Sequence, residues 1–459
     1  MNQWSTNPLA LPLRVSGVVF VLTLAVSLSI LSRSLLLVVP IAAAVLFWVV
    51  FRHPTVALAA ILAFMPIDFM AIALGKFVGF PHMTLVSVCT KEIPLLLIAG
   101  ILCLRNGFKP AAPDWFLLAC FLLACVRTMF DGTLVGLVTD FNFIVPYLVG
   151  RMTVITQQQE QLWARCAVWI AGALSMLGLI EVFVWGEGPR TLLYLAIDSE
   201  TEGDQLASSF HAMGFSGLRE AAGMIGPNGF GALCMVALIV WWVYCRNPIP
   251  AAMIGTGLVC SVTRSAWAGT AVAIPLVAIL MGQTKRFFLY ATLALALFAA
   301  AIPVLDLSDF LLFSKTGQDP SAEGHQEQIA RGLTYAADHP FGAGNSKLSP
   351  TGFKQQGNVT LFETTYPYVA SAYGIVVALC FVGFLASAGH RLWRVQSQLG
   401  HTALGILVGM SVVMIFTLPL IDRRLGCWAW FPIGLAIRSG IDTARVTRLP
   451  QRQTIMENP

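Results

Sequence analysis

"GLREAAGMIGPNGFGALCMVALIVWWVYC", residues 217–245, passes from a polar segment through a Gly-Pro-Asn turn into a run, 229–245, that carries no charge. As an α-helix, a run of about 17–25 apolar residues crosses the hydrocarbon core of a bilayer. The run lacks the polar/apolar alternation of a barrel strand, and a helix satisfies its own backbone groups in lipid. The turn ahead of it raises a second question. Arg219 and Glu220 are carried to the edge of the span, where a few small residues would suffice for a turn.

Similar runs recur at 16–31, 35–50, 114–126, 166–185, 287–304 and 369–388. Composition agrees: 57% of the 459 residues are hydrophobic and 11% are charged, against about 25% charged in a soluble domain. These features predict an all-α polytopic membrane protein, a single transmembrane domain over 1–459. The first run is read as a retained helix, because no small-residue cleavage site follows it and a second span begins almost at once. The ten cysteines lie in spans or at their ends, which argues against a disulfide framework in the long loops. A net charge of +5 fits cytoplasmic loops and no nucleic-acid partner.

Two long loops, 186–228 and 305–365, are mixed to acidic; the first holds Glu187, Asp198, Glu200, Glu202, Asp204 and Glu220 against Arg190 and Arg219. The short connections carry Arg52, Arg105, Lys109, Arg151, Arg165, Arg246, Lys285, Arg286, Arg391 and Arg394, and the 438–459 tail adds further arginines. The positive-inside rule places the short loops, the tail and both termini in the cytoplasm, and the long loops in the periplasm of a bacterial inner membrane. About 14 crossings result, with roughly 12 as the floor.

Candidate chemistry gathers on the long-loop side. Gly226, Pro227, Asn228 and Gly229 read as a helix start, whose N–H groups would face an anion. Arg219 would add a bidentate fork for phosphate or, in a plainer reading, snorkel to lipid headgroups. "SVTRSAWAG", residues 261–269, puts Arg264 between two apolar segments with no loop around it. An arginine at such depth faces a cavity or a partner, or sits in a tight outer hairpin against lipid phosphate.

In the second long loop, Ile329, Leu333 and Ala336 share a helical face with Arg331 and Tyr335 nearby, and "HPFGAGNSKL" (339–348) then ends that helix. That segment has no Walker pattern. "LFETTYPYV" (361–369) brings Glu363 to the mouth of the next span, as a general base or as a helix-capping carboxylate. His325 and His339 have no ligand spacing, so no metal is expected. Lys91 and Glu92 fall in an apolar run, and Arg127 and Asp140 are candidate partners for interhelical ion pairs. Arg151 reads as a cytoplasmic anchor.

The ordered set resembles the O-antigen ligase/polymerase family of bacterial envelope glycosyltransferases. It comprises Arg219, Gly223, Pro227 and Asn228 before a span; Thr263, Arg264 and Ser265 between short helices; then Arg331 and "HPFGAG" before a polar residue at the next span. "TKEIPLLL" (90–97) and the hydrophobic layout of nearly the whole chain agree with it. The resemblance implies a membrane-glycosyltransferase (GT-C-like) architecture with a helical periplasmic loop over the site. It implies a glycan donor linked to undecaprenyl pyrophosphate, an acceptor glycan, no cofactor, and a chain-length regulator or flippase as protein partners. Arg219 and Arg264 would hold the pyrophosphate and Glu363 would serve the acceptor. Asn228, Arg331, Tyr335, His339 and Tyr366 would contact substrate. Ligases of the family typically carry histidine where this chain has Glu363, which shifts the expectation toward a polymerase of an exopolysaccharide or O-antigen. A ligase, and a transporter of lipid-linked oligosaccharide, remain the alternatives.

Overall fold

The computed structural model describes residues 48–67, 83–186, 226–304, 320–348 and 364–446. These residues form helices and, among them, no strand. In chain order the helices are α1 (Pro54–Phe64), α2 (Met83–Asn106), α3 (Ala112–Asp131), α4 (Leu134–Asp140), α5 (Ile144–Met152) and α6 (Gln157–Ile180, continued by a π turn Glu181–Trp185). There follow α7 (Pro227–Tyr244), α8 (Pro248–Cys260), α9 (Arg264–Leu280), α10 (Thr284–Val304), α11 (Pro320–Asp338) and α12 (Asn345–Leu348). The last are α13 (Thr365–Tyr373), α14 (Ile375–Trp393), α15 (Gln398–Phe416) and α16 (Arg423–Val446). This is an all-α polytopic membrane protein.

Among the described residues five helices are long and apolar enough to cross a bilayer: α3, α6 with its π turn, α7, α14 and α15. The pair α4–α5, bent by 53°, makes a sixth if it is one broken span. The expected 12 to 14 crossings therefore include segments that this criterion does not count. Four shorter apolar helices are α1, Ile93–Asn106, α8 and α9, and the runs at 16–31 and 35–47 lie outside the described residues. The run expected at 369–388 as one span is two helices, α13 and α14, because Gly374 (φ +104°) turns the chain between them. A Cβ there would lie 3.0 Å from the Pro340 carbonyl oxygen, and that carbonyl accepts the Ile375 N–H at 3.0 Å. The break is made by a distant loop, not by the apolar run itself.

α7 is the central helix: nearly all its side chains from Phe230 to Val243 are buried, and it packs on α6, α8, α9, α15 and α16. Uniform apolarity is what a helix enclosed by other helices requires. Helix approach elsewhere relies on small residues, as expected where lipid offers no hydrophobic contrast. Gly150 on α5 and Gly434 on α16 face each other's backbone, and a Cβ on either would collide with it.

The cations of the short connections gather at one end. Arg438 donates to the carbonyls of Gly107 (2.7 Å) and Asn106 (2.9 Å), Lys109 pairs with Asp442, and Asn106 donates to the Met152 carbonyl at 2.7 Å. Arg286 donates to the carbonyls of Trp242 and Cys245 and lies over the Trp242 ring. Arg151 belongs to this end but is not an anchor. It is wholly buried, with Nε and Nη2 on the Asp114 carboxylate at 3.0 and 2.8 Å and Nη2 also on the Lys109 carbonyl. Tyr147 donates to the same carboxylate at 2.7 Å. A buried guanidinium is tolerated where a carboxylate and a carbonyl replace water.

Removing one partner of that pair strands a buried charge. Arg151→Met should cost about 3–5 kcal/mol of stability, and Arg151→Met/Asp114→Asn should recover part of it. Unfolding midpoints in detergent check this, and a single variant as stable as wild type would contradict the role given to the pair.

Candidate functional site

The opposite end of the bundle holds the breaks in its helices. α7 begins at Pro227 after Gly226, whose backbone is extended; proline at the first helical position lacks only an N–H that would be unbonded there. α8 ends at Cys260 and α9 starts at Arg264, so the intervening link is a mere three residues, Ser261–Thr263. Val262 adopts φ +48°, a conformation costly for a β-branched side chain and typical of constrained functional segments.

The two sequence motifs meet here. The buried Thr263 hydroxyl lies 3.1 Å from the Pro227 carbonyl and 3.2 Å from that of Ser261, and donates to them. Gly231, one turn into α7, permits the approach: a Cβ there would sit 2.8 Å from Ser261 Oγ and 2.8 Å from Thr263 Cβ. Trp267 closes the hairpin by donating from Nε1 to the Leu258 carbonyl at 2.8 Å. Two helix N-termini thus lie side by side, each with the positive pole of its dipole at this end. Arg264, half-buried, is the first residue of α9, and Asn228, exposed, is the second of α7. Arg219, Gly223 and Glu363 lie outside the described residues.

The described residues of the second long loop pack on α13 and its neighbours. α11 confirms the expected helix, but not the expected packing face. Leu333 is 58% exposed, while Gly332 and Ala336 are buried. Glycine decides this: α11 approaches α13 closely enough for Ser371 Oγ to donate to the Gly332 carbonyl at 3.0 Å. Arg331 is exposed and paired with Glu327 at 2.5 Å, one turn earlier. Tyr335 and His339 stack with ring centroids 4.4 Å apart. Tyr366 is turned inward, donating to the Ser411 carbonyl of α15 at 3.1 Å.

The glycine loop after α11 docks on the α13–α14 break. Ala343 and Gly344 donate their N–H groups to the carbonyls of Ser371 and Ala372 at 2.8 and 3.0 Å. The side chains of Lys91 and Glu92 lie outside the described residues; Arg127 and Asp140 have other partners. Arg127 bonds Asp131 at 2.8 Å and the Gly342 carbonyl at 3.0 Å. Asp140, buried at the end of α4, accepts from the phenols of Tyr368 (2.5 Å) and Tyr373 (2.6 Å) on α13. Tyr373 in turn accepts from Asn345 Nδ2 at 3.0 Å, and the same amide spans Thr133, accepting from its N–H at 2.8 Å and donating to its carbonyl at 3.1 Å. Asp140, Tyr368, Tyr373 and Asn345 were not among the expected site residues, although an acid within the apolar "VGLVTDFNFIV" (135–145) was the available signal. The turn Pro419–Ile421 packs against both α4 and α7, which places this network and the Thr263 junction at one end.

Residues 249–382 match the family model described as O-antigen ligase. The match runs from α8 into α14 and takes in Arg264, Arg331, Tyr335, His339, Glu363 and Tyr366, while Arg219, Asn228 and Asp140 precede it. It supports the O-antigen ligase/polymerase family, and with it a glycosyltransferase-like enzyme. No curated protein matches the chain.

Thr263→Val removes the hydroxyl that joins the two helix starts. The expected loss is about 1–3 kcal/mol of stability, with Thr263→Ser near wild type. Thermal unfolding of purified protein decides it, and equal midpoints for valine and wild type would show that the contact does not hold the junction.

Proposed function

We propose that this chain is a polymerase of an exopolysaccharide or O-antigen, transferring glycan from undecaprenyl pyrophosphate to an acceptor sugar hydroxyl at the periplasmic face of the inner membrane. The observation that carries the reading is the contact of Thr263 with the Pro227 carbonyl. It sets Arg264 beside the helix start that follows Arg219 in the chain. The clustering of cations at the other end of the bundle supports the orientation, with that end cytoplasmic.

In this reaction the acceptor oxygen attacks the anomeric carbon, and the anomeric C–O bond to pyrophosphate breaks on the opposite face. The electron pair leaves on undecaprenyl pyrophosphate, the acceptor proton passes to Glu363, and the anomeric configuration inverts. Two fixed guanidiniums in a partly dry site stabilise the charge where it develops. Arginine suits the task because it stays protonated and meets phosphate oxygens in pairs. The dipoles of α7 and α9 add donors of the same sign. Such a site needs no metal to neutralise the leaving group.

A second reading is a ligase that moves the finished glycan to a lipid acceptor, favoured by the description of the matched family. Glu363, where ligases of the family typically carry histidine, favours the polymerase. Lipid-linked donor supplied with and without a lipid acceptor separates them: chain growth without it indicates a polymerase.

Arg264→Ala and Arg219→Ala should each lower polymer yield by about 10²–10³-fold, with lipid-linked repeat units accumulating and protein levels unchanged. Polymer at near wild-type amounts in both variants contradicts the assignment. Glu363→Gln should lower yield as well; unchanged chain length and yield would reduce Glu363 to a helix cap.

A further inference from the structure

We propose that Asp140 is a positioning residue for the acceptor side of the reaction, setting α13 through a two-phenol clamp. The inference rests on the glycosyl-transfer reading above and adds to it a residue outside the segment matched by the family model.

An ionisable side chain inside a membrane bundle is expensive, and an apolar residue of similar volume would fill the same space more cheaply. Asp140 is 5% exposed and has no cation among its hydrogen-bond partners. Its partners are two phenols five residues apart on α13, both on Oδ2. Tyr373 extends the connection to Asn345, which grips the backbone of Thr133 just ahead of α4. The carboxylate therefore ties together three interruptions: the α4–α5 bend, the glycine loop after α11, and the α13–α14 break at Gly374.

The second carboxylate oxygen, Oδ1, is buried and has no hydrogen-bond partner among the described residues. The carboxylate faces a cavity of about 10 Å³ walled by Phe141, Phe143, Phe381, Leu418 and Leu420, room for about one water. The other oxygen, Oδ2, is committed to α13 through both phenols.

What α13 carries gives the clamp its purpose. Its second residue is Tyr366, and Glu363 lies two residues before its first. An axial slip or roll of this nine-residue helix would carry the adjoining Glu363 away from an acceptor hydroxyl, and a displacement of about 1 Å costs about 10²-fold in rate.

The test uses purified full-length protein with lipid-linked donor and acceptor glycan. Tyr368→Phe/Tyr373→Phe and Asp140→Leu should lower kcat by about 10²-fold, with the donor KM unchanged. Asp140→Asn, which keeps an acceptor oxygen, should recover part of the rate. Tyr368→Phe alone, which removes one oxygen atom, covers the case in which the larger changes fail to fold. Wild-type kcat per folded molecule in the phenylalanine variants overturns the clamp and leaves glycosyl transfer standing. A loss confined to unfolding midpoint, with kcat intact, overturns it equally. Absence of transfer by the wild-type protein contradicts the glycosyl-transfer reading itself and takes the clamp with it.

Discussion

The Thr263 hydroxyl on the Pro227 carbonyl is the contact on which the architecture of the site depends. α7 could start, and α8 could turn into α9, without either knowing of the other. The hydrogen bond, 3.1 Å long and buried, places the two starts at one level, and Gly231 opens the space for it. The strained Val262 fits the same picture: a three-residue link between antiparallel helices is affordable only where surrounding contacts over-determine it. Arg264 inherits its position from that link. It is the first helical residue, so its backbone place is set by the break and its side chain by the end of the bundle.

The two ends of the molecule solve the charge problem in opposite ways. At the cation-rich end three guanidiniums are absorbed: Arg151 by Asp114, Arg438 by carbonyls and Asp442, Arg286 by carbonyls and rings. These groups are neutralised inside the protein and hold helices together. At the other end the helices are discontinuous and an acid is held by phenols. Irregular backbone at membrane depth is tolerated where protein covers it or a cavity is lined by it. That asymmetry separates an end where charge holds helices together from an end where the helices break.

Much of this was legible in the chain and some was not, for physical reasons. Gly226–Pro227–Asn228 announced the start of α7, and Ser261–Arg264 announced a break, because turn chemistry and a charge in an apolar run are local signals. The α13–α14 break was hidden because its cause, the Pro340 carbonyl, lies more than thirty residues away. The packing face of α11 was misread at Leu333 because periodicity rewards large apolar residues, whereas the close approach to α13 is made at Gly332. Arg151 looked like an anchor and Asp140 like half of an ion pair. Each partner is set by tertiary approach, 37 residues away for Arg151 and 228 or 233 for Asp140. Of the candidate site, Arg264 is found at the helix break that the chain marked by charge, while Arg219 and Glu363 lie outside the described residues; the contacts that hold the break became visible only once the helices were assembled.

The central claim is that Arg219 and Arg264 grip one diphosphate. A double-mutant cycle on binding of undecaprenyl pyrophosphate to the protein in nanodiscs tests it most directly. Groups sharing one ligand couple by about 0.5–3 kcal/mol, so the account predicts that the double alanine variant loses markedly less or more affinity than the two single losses combined. Strictly additive losses, or no loss from either arginine, would contradict it.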